Sequence, residues 1–339
     1  MKHILVTGGT GYIGSHTVLA LLEAGFHPVI LDNFSNSSRA VVGRMQELSG
    51  ELEIPLVEAD VRDTGALNEI FTRYSIDAVI HFAGLKAVGE SVSQPLEYYT
   101  NNLGSTFVLL EVMKQHGCFN LIFSSSATVY GAPVSLPISE DHPLRATNPY
   151  GRTKLFIEEI LRDMAISDAR WHIPLLRYFN PVGAHSSGRI GESPNDAPNN
   201  LFPCITQFAV GKRATLKVFG TDYPTRDGSG VRDYLHVCDL AEGHVAALRT
   251  LDQLQGAVPI NLGTGTGYSV LEIIRMFEDV MGRTIHATLE PRRPGDVAEC
   301  YADAGNAENL LKWKAAQTLH SMCRDSWKWQ TLNPSGYEE

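Results

Sequence analysis

His3-Ile4-Leu5-Val6-Thr7-Gly8-Gly9-Thr10-Gly11-Tyr12-Ile13-Gly14 is the stretch that decides the fold of this chain. Its first five residues read as a short buried strand, and glycines at 8, 11 and 14 follow at once with G-x-x-G-x-x-G spacing. Ile13, Val18, Leu21 and Leu22 then carry a helix that stops at Gly25. Such a loop lets backbone approach a pyrophosphate closely, and the helix N-terminus offers N–H groups and partial positive charge. Gly8, Gly11, Tyr12, Ile13 and Gly14 are therefore expected cofactor contacts. A second strand, Pro28-Val29-Ile30-Leu31, ends at Asp32. A carboxylate there accepts from adenosine ribose hydroxyls and repels a 2′-phosphate, so NAD is expected rather than NADP.

Outward from this unit, strand and helix alternate. Strands are expected at 54–57, 77–82, 120–123 and 174–178, and a helix over 64–74. A longer helix carries Leu96, Tyr99, Leu103, Phe107 and Leu110 at spacings of three and four. Repeated βα units need right-handed crossovers, so the fold class is α/β, a doubly wound, Rossmann-type parallel sheet. Ligands collect beyond the carboxyl ends of such strands. Gly8, Asp32, Asp60, Phe82-Ala83-Gly84, Ser124–Ser126 and Asn180 all fall at such ends. Past Asn180 the rhythm is lost. Residues 183–200 are rich in Gly, Ser, Pro and Asn and read as a long surface loop. Beyond it come a helix opening at Asn200, strands at 216–219 and 260–263, and an amphipathic helix over 269–281. Residues 1–179 are thus expected to form a dinucleotide-binding domain. Residues 180–339 are expected to form mainly a smaller mixed α/β substrate domain, with some segments returning to the first.

Tyr150-Gly151-Arg152-Thr153-Lys154 follows Asn148-Pro149, where a helix begins. Leu155, Phe156, Ile157, Ile160, Leu161 and Met164 supply its apolar stripe. Residues four apart share a helix face, so Lys154 is expected beside the Tyr150 phenol. A nearby ammonium favours phenolate, and that makes tyrosine a general base.

Composition narrows the rest. A chain of 339 residues with formal charge −10 has no basic tract for nucleic acid. The glycine loop starts too early to leave room for a cleavable leader, and no apolar run reaches membrane-spanning length, so a soluble cytoplasmic protein is expected. Five scattered cysteines (118, 204, 238, 300, 323) suit a reducing compartment. The twelve histidines show no paired ligand spacing, so no metal is expected.

With the glycine triplet, Ser124-Ser125-Ser126-Ala127-Thr128-Val129-Tyr130-Gly131 and Tyr150-x-x-x-Lys154 in order, the chain resembles the extended short-chain dehydrogenase/reductase family. Within it the likeness is to the UDP-glucose 4-epimerases. Three further segments are similar to epimerase signatures: Arg177-Tyr178-Phe179-Asn180-Pro181-Val182-Gly183-Ala184-His185, Gly230-Val231-Arg232-Asp233-Tyr234-Leu235-His236-Val237 and Arg293-Pro294-Gly295-Asp296. The resemblance spans essentially the whole chain. It implies a 4-epimerase that oxidises a UDP-hexose at C4 and reduces it again from the other face, with NAD bound throughout. By this likeness Ser126 bonds the sugar hydroxyl, Tyr150 takes its proton, and Lys154 orients the nicotinamide ribose. Ser124 and Tyr178 border the nicotinamide. Asp32, Asn33, Asn36 and Ser37 hold the adenosine ribose, and Asp60 and Val61 the adenine. Phe82, Ala83 and Lys86 lie near the cofactor phosphates and riboses, with Asn101 a further contact. Asn180, Asn200, Leu201, Phe219, Arg232 and Arg293 match uridine-diphosphate binders, and Asp296 a uridine ribose ligand.

The resemblance also implies a homodimer packed through the Leu96–Leu110 and Tyr150–Met164 helices. Its siblings are the nucleotide-sugar 4,6-dehydratases and UDP-glucuronate decarboxylases. The former carry Asp-Glu after the serine, where this chain has Ala127 and Thr128, and no basic partner for a C6 carboxylate is evident for the latter. A non-catalytic NAD sensor would not need Tyr150, Lys154 and Ser126. Cys300 stands where epimerases restricted to UDP-glucose and UDP-galactose resemble one another in having tyrosine, so N-acetylated sugars are expected substrates too. Tyr301 is the residue that a slip in register would bring into that space.

Overall fold

The computed structural model describes residues 2–50, 52–194, 200–293 and 295–337. Residues 195–199 of the expected 183–200 loop, and Pro294 of the Arg293–Asp296 segment, lie outside the described residues. Among the described residues, seven strands make one all-parallel sheet. They are β1 (His3–Thr7), β2 (His27–Asp32), β3 (Leu56–Glu58), β4 (Ile76–His81), β5 (Leu121–Ser126), β6 (His172–Tyr178) and, from far along the chain, Gly256–Leu262. Between β6 and that last strand come β7 (Asn180–Val182), β8 (Leu216–Phe219) and β9 (Val231–His236), which makes Gly256–Leu262 β10. The sheet order is β10-β6-β5-β4-β1-β2-β3.

Side chains alternate across a strand, and the core divides accordingly. Ile4, Val6, Ile30, Ile80, Ile122 and Leu176 pack on one face against α1 (Tyr12–Glu23), α2 (Ala40–Leu48) and, from later in the chain, Val237–Arg249. Leu5, Val29, Leu31, Val79, Phe123 and Leu175 pack on the other. That second face is covered by α3 (Thr64–Tyr74), α5 (Pro95–Gln115) and α6 (Pro149–Ser167), with the short α4 (Val88–Ser93) preceding α5. Cutting Leu5 or Ile80 back to alanine in such a core costs about 2–5 kcal/mol.

Three of the differences from the sequence expectation have a plain physical reason. β3 starts at Leu56 because Pro55 has no N–H for the ladder, although its carbonyl accepts from Ile30. β5 runs on through the serines to Ser126. The strand expected at 260–263 is the C-terminal part of β10, which pairs with β6 and belongs to the large sheet. The apolar stripe expected on α5 is split: Leu110 is buried in the core beneath the helix and Leu103 packs against it. Leu96 and Phe107 are exposed, and the buried face is Tyr98, Asn102, Ser105, Thr106, Leu109, Val112 and Met113.

The remaining elements gather about β9, which pairs with β7, β11 (Gly267–Ser269) and β13 (Glu299–Cys300), while β12 (Ala287–Glu290) pairs with β8. α7 (Leu201–Ala209), α9 (Val270–Met281) and α11 (Leu319–Leu332) bury Phe202, Ile205, Ile273, Phe277 and Met322 with Tyr234. α8 (Val237–Arg249) and α10 (Gly305–Leu311) instead join the large sheet. α9 starts with a capping box, in which Ser269 and Glu272 satisfy each other's backbone N–H, and it ends at Gly282 with φ +65°.

Candidate active site

The order of the sheet reverses at β1, which has β2 on one side and β4 on the other, and a crevice opens beyond the carboxyl ends of β1 and β4. Backbone crowding there demands glycine. Gly8 has φ +69°, and a Cβ on it would lie 2.8 Å from Ala83 N; a Cβ on Gly14 would lie 2.2 Å from the Gly8 carbonyl oxygen. No side chain caps α1 at Gly11 and its first turn holds no acid, which leaves its N–H groups to an anion. The Tyr12 hydroxyl donates to the Gly183 carbonyl at 2.7 Å, tying the loop to the far side of the crevice.

Asp32 is buried and fixed by Thr10 N at 3.0 Å, Phe34 N at 2.9 Å and Ser37 Oγ at 3.2 Å. Asn33, Asn36 and Ser37 share the loop that follows, and Asn33 Nδ2 donates to Asp60 at 3.0 Å. Arg62 clasps Asp60 with two side-chain hydrogen bonds of 2.8 Å and lowers its pKa to about 2. Val61 is buried beside it. Phe82 and Ala83 lie where expected, at the end of β4. The structure sets Lys86 3.5 Å from Glu192, across the crevice. Asn101 donates to Asn102 at 3.1 Å, and Asn102 bonds both backbone groups of Leu85 as well as Thr153.

The residues expected to handle the proton meet between β5 and α6. Asn148 caps α6 through Gly151 N at 2.8 Å, and Gly151 packs so closely on Thr128 that a Cβ would sit 3.0 Å from its carbonyl oxygen. That approach brings Tyr150 to Ser126, whose hydrogen bond lowers the phenol's pKa. Burial acts more strongly, so the pKa is raised above its ordinary value of 10.0. This corrects the expectation that Lys154 dominates. Its Nζ lies 6.0 Å from the Tyr150 ring centroid and donates to the Ser124 carbonyl at 2.7 Å. Burial in turn lowers the Lys154 pKa to about 8. The Tyr178 hydroxyl donates to His244 Nε2 at 2.5 Å, while His244 Nδ1 faces the Leu240 carbonyl at 2.8 Å. Burial lowers the His244 pKa to about 4, so the ring is neutral and Nε2 is free to accept.

On the opposite wall the residues come from short strands and loops. Arg293 stacks 4.8 Å over the Phe219 ring and bonds Asp296 at 2.9 Å. Arg232 Nη1 donates to the Val231 carbonyl at 2.8 Å, and both arginines bear electrostatically on buried Tyr234. Asn180 is exposed on β7, Asn200 precedes α7 and donates to Glu192 at 3.3 Å, and Leu201 opens that helix. Cys300 pairs in register with Arg232 and packs on Val129, Tyr130, Ile138 and Phe179, the group that also contacts Ala127. Tyr301 does not compete for that position. It faces Gly267, where a Cβ would lie 3.1 Å from its ring.

A family model described as GDP-mannose 4,6 dehydratase matches residues 5–326. UDP-glucose 4-epimerase of Bacillus subtilis (strain 168) is 57% identical over 335 residues, 99% of this chain and 98% of that protein. UDP-glucose 4-epimerase 2 of Arabidopsis thaliana is 58% identical over 339 residues, 99% of this chain and 97% of that protein. UDP-glucose 4-epimerase from Bifidobacterium longum, crystallised with NAD+ and UDP, superposes with a TM-score of 0.95 at 52% identity, covering 99% of this chain and 100% of that one. The chain belongs to the UDP-glucose 4-epimerase family.

For an epimerase of this family the residues after Ser126 are telling. A dehydratase needs an acid and a base there, and Ala127 and Thr128 are neither; Thr128 spends its N–H and hydroxyl on Ser126 Oγ at 3.2 and 3.0 Å. Several buried polar residues around this crevice carry little sequence signature of their own. His81, held between Thr7 at 2.7 Å and Thr106 at 3.3 Å, His244, Asn102 and Glu158 are buried polar groups whose partners lie far along the chain. Glu158 alone gives a signal, a carboxylate one turn past Lys154 on an otherwise apolar face.

Proposed function

We propose that this chain is an NAD-dependent UDP-hexose 4-epimerase. The observation that carries the reading is the meeting of Tyr150 with Ser126 at the start of α6, with Lys154 anchored on the Ser124 carbonyl one helical turn away. Tyr150 takes the O4 proton, Ser126 holds that oxygen, and Lys154 fixes the cofactor ribose. The glycine loop, Asp32 and the Asp60 loop would hold NAD, which when bound would supply a reversible hydride acceptor and a positive charge. That charge opposes the effect of burial on Tyr150. The 4-keto sugar must turn over between the two hydride steps. Arg232, Arg293, Phe219, Asn180, Asn200, Leu201 and Asp296 therefore grip the UDP and leave the hexose free.

Residues 1–179 supply the NAD half and residues 180–339 mainly the UDP-sugar half, with β10 returning to the first sheet. The exposed Leu96, Phe107 and Phe156, with Tyr99 stacked 6.0 Å from Phe156, support a homodimer through α5 and α6. No described helix is long and apolar enough to cross a membrane, and the reading is of a cytoplasmic enzyme. Purified protein given UDP-galactose and no added NAD should yield UDP-glucose. Acid release should recover NAD, and mainly NADP would count against the role of Asp32.

Cys300 extends the reading to the N-acetylated sugars. An acetamido group needs several heavy atoms of space, and a cysteine where a tyrosine would stand provides a ring's volume. The enzyme should interconvert UDP-GlcNAc and UDP-GalNAc, and Cys300→Tyr should abolish that activity while sparing UDP-galactose. An enzyme active on UDP-galactose yet inert toward UDP-GalNAc would reduce Cys300 to a packing detail.

A further inference from the structure

Glu158 has no solvent exposure, and the mechanism above makes no use of it. Its Oε1 accepts from Ser125 Oγ at 2.5 Å and Arg177 Nε at 2.9 Å. Its Oε2 accepts from Arg177 Nη2 at 2.7 Å and Arg162 Nη2 at 2.6 Å. Arg177 is itself buried, and its Nη1 donates to the Tyr130 hydroxyl at 2.9 Å and the Glu140 carbonyl at 3.0 Å. The Tyr130 hydroxyl donates onward to Asn261 on β10 at 2.6 Å. Burying two charges costs several kcal/mol per ion, so a pair of this kind is poor evidence for stability alone. Its place in the fold is more informative.

Ser125 and Arg177 are cross-strand partners in the β5–β6 register, and the next pair along is Ser126 with Tyr178. Both point to the face that α6 covers, beside Phe123 and Leu175. Glu158 stands one turn beyond Lys154 and two beyond Tyr150 on that helix. A single carboxylate thus bonds both strands one residue short of the reacting serine. We infer that Glu158 is a positioning residue: through Ser125 and Arg177 it fixes how far α6 advances along the ends of β5 and β6. It thereby holds Tyr150 against Ser126 and Lys154 against the Ser124 carbonyl. The inference rests on Tyr150 being the base.

The test uses the full-length enzyme with its bound cofactor. Glu158→Gln alone leaves Arg177 a buried cation with its counter-charge gone and risks misfolding, so Glu158→Leu/Arg177→Met removes both charges together. A misplacement near 1 Å lowers kcat about 100-fold, which is the expected loss. UDP affinity should stay within about twofold, because the UDP side is untouched. Ser126 lowers the Tyr150 pKa, so loosening that bond should move the basic group's limb of the kcat–pH profile to higher pH. Ser125→Ala removes one link without stranding a charge, and should show the same shift with a smaller loss of kcat. Unchanged kcat and limb in Ser125→Ala and in any folded double variant, whatever the change in Tm, would overturn the inference. Full activity in Tyr150→Phe would instead remove the base assignment. An inactive Tyr150→Phe beside wild-type behaviour at Glu158 would remove the positioning role alone.

Discussion

The two walls of the crevice are built differently. On the cofactor side, polar groups sit at the ends of buried parallel strands and are held by backbone N–H groups, as Asp32 is by Thr10 and Phe34. On the sugar side, they project from short strands and loops and pair with one another, as Arg293 does with Asp296 across an exposed contact. A site whose ligand must stay through two hydride steps gains from being fixed beforehand. A site that must let a hexose turn over gains from side chains that change partner. The difference follows the chemistry each wall serves.

The largest expected effect tests whether the walls meet only at the proton-transfer residues. Tyr150→Phe should lower kcat by about 10²–10⁴-fold, the usual worth of a general base, while bound NAD and UDP affinity persist. Rapid-quench turnover with parallel nucleotide analysis measures all three. Loss of NAD in this variant would mean that Tyr150 belongs to the cofactor wall and that the division drawn here is misplaced. The next effect probes the sugar-side wall. Arg293→Met removes charge-assisted hydrogen bonds worth about 1.5–3 kcal/mol, so KM for UDP-galactose should rise about 10–100-fold with kcat nearly kept. An equal fall in kcat would show that Arg293 acts on the transition state and not on the diphosphate.

The same contrast explains what could be read from the sequence. The glycine loop, Asp32 and the Tyr150 helix are local patterns: spacing, apolar runs and a capping Asn148-Pro149. These survive in a linear reading because the physics that shapes them acts within a few residues. The bonds of Lys154 to Ser124, Glu158 to Arg177 and Tyr178 to His244 join distant segments, and β10 finds its place beside β6 only in three dimensions. α5 shows the limit most plainly. Its inward face carries Asn102, which serves the Leu85 backbone, and Thr106, which meets His81, while Leu96 and Phe107 look outward. Periodicity alone therefore does not separate the members of this stripe that are buried, Leu110 and in part Leu103, from those that are exposed. The Tyr150 pKa was missed for a related reason, since burial cannot be weighed against charge before the neighbours are known.

The smallest effect asks whether the fixed wall is stabilised by its own polar groups before any ligand arrives. Asp60 has its pKa lowered from 3.8 to about 2, chiefly by hydrogen bonds from Arg62. A depressed carboxylate contributes stability that is fully present above its unfolded pKa near 4 and is lost as pH falls through the folded value near 2. Both side chains are partly exposed, 31% for Asp60 and 45% for Arg62, so solvent screening reduces the contribution. We expect about 1 kcal/mol or less. Urea unfolding at pH 5 and at pH 3 should show wild-type protein losing more stability than Arg62→Met by part of that amount, with convergence only below the folded value near 2. If the difference between them is the same at both pH values, the Asp60–Arg62 clasp does not depend on the carboxylate's charge. The cofactor wall would then owe its rigidity to the buried strands beneath it and not to the polar loop that lines it.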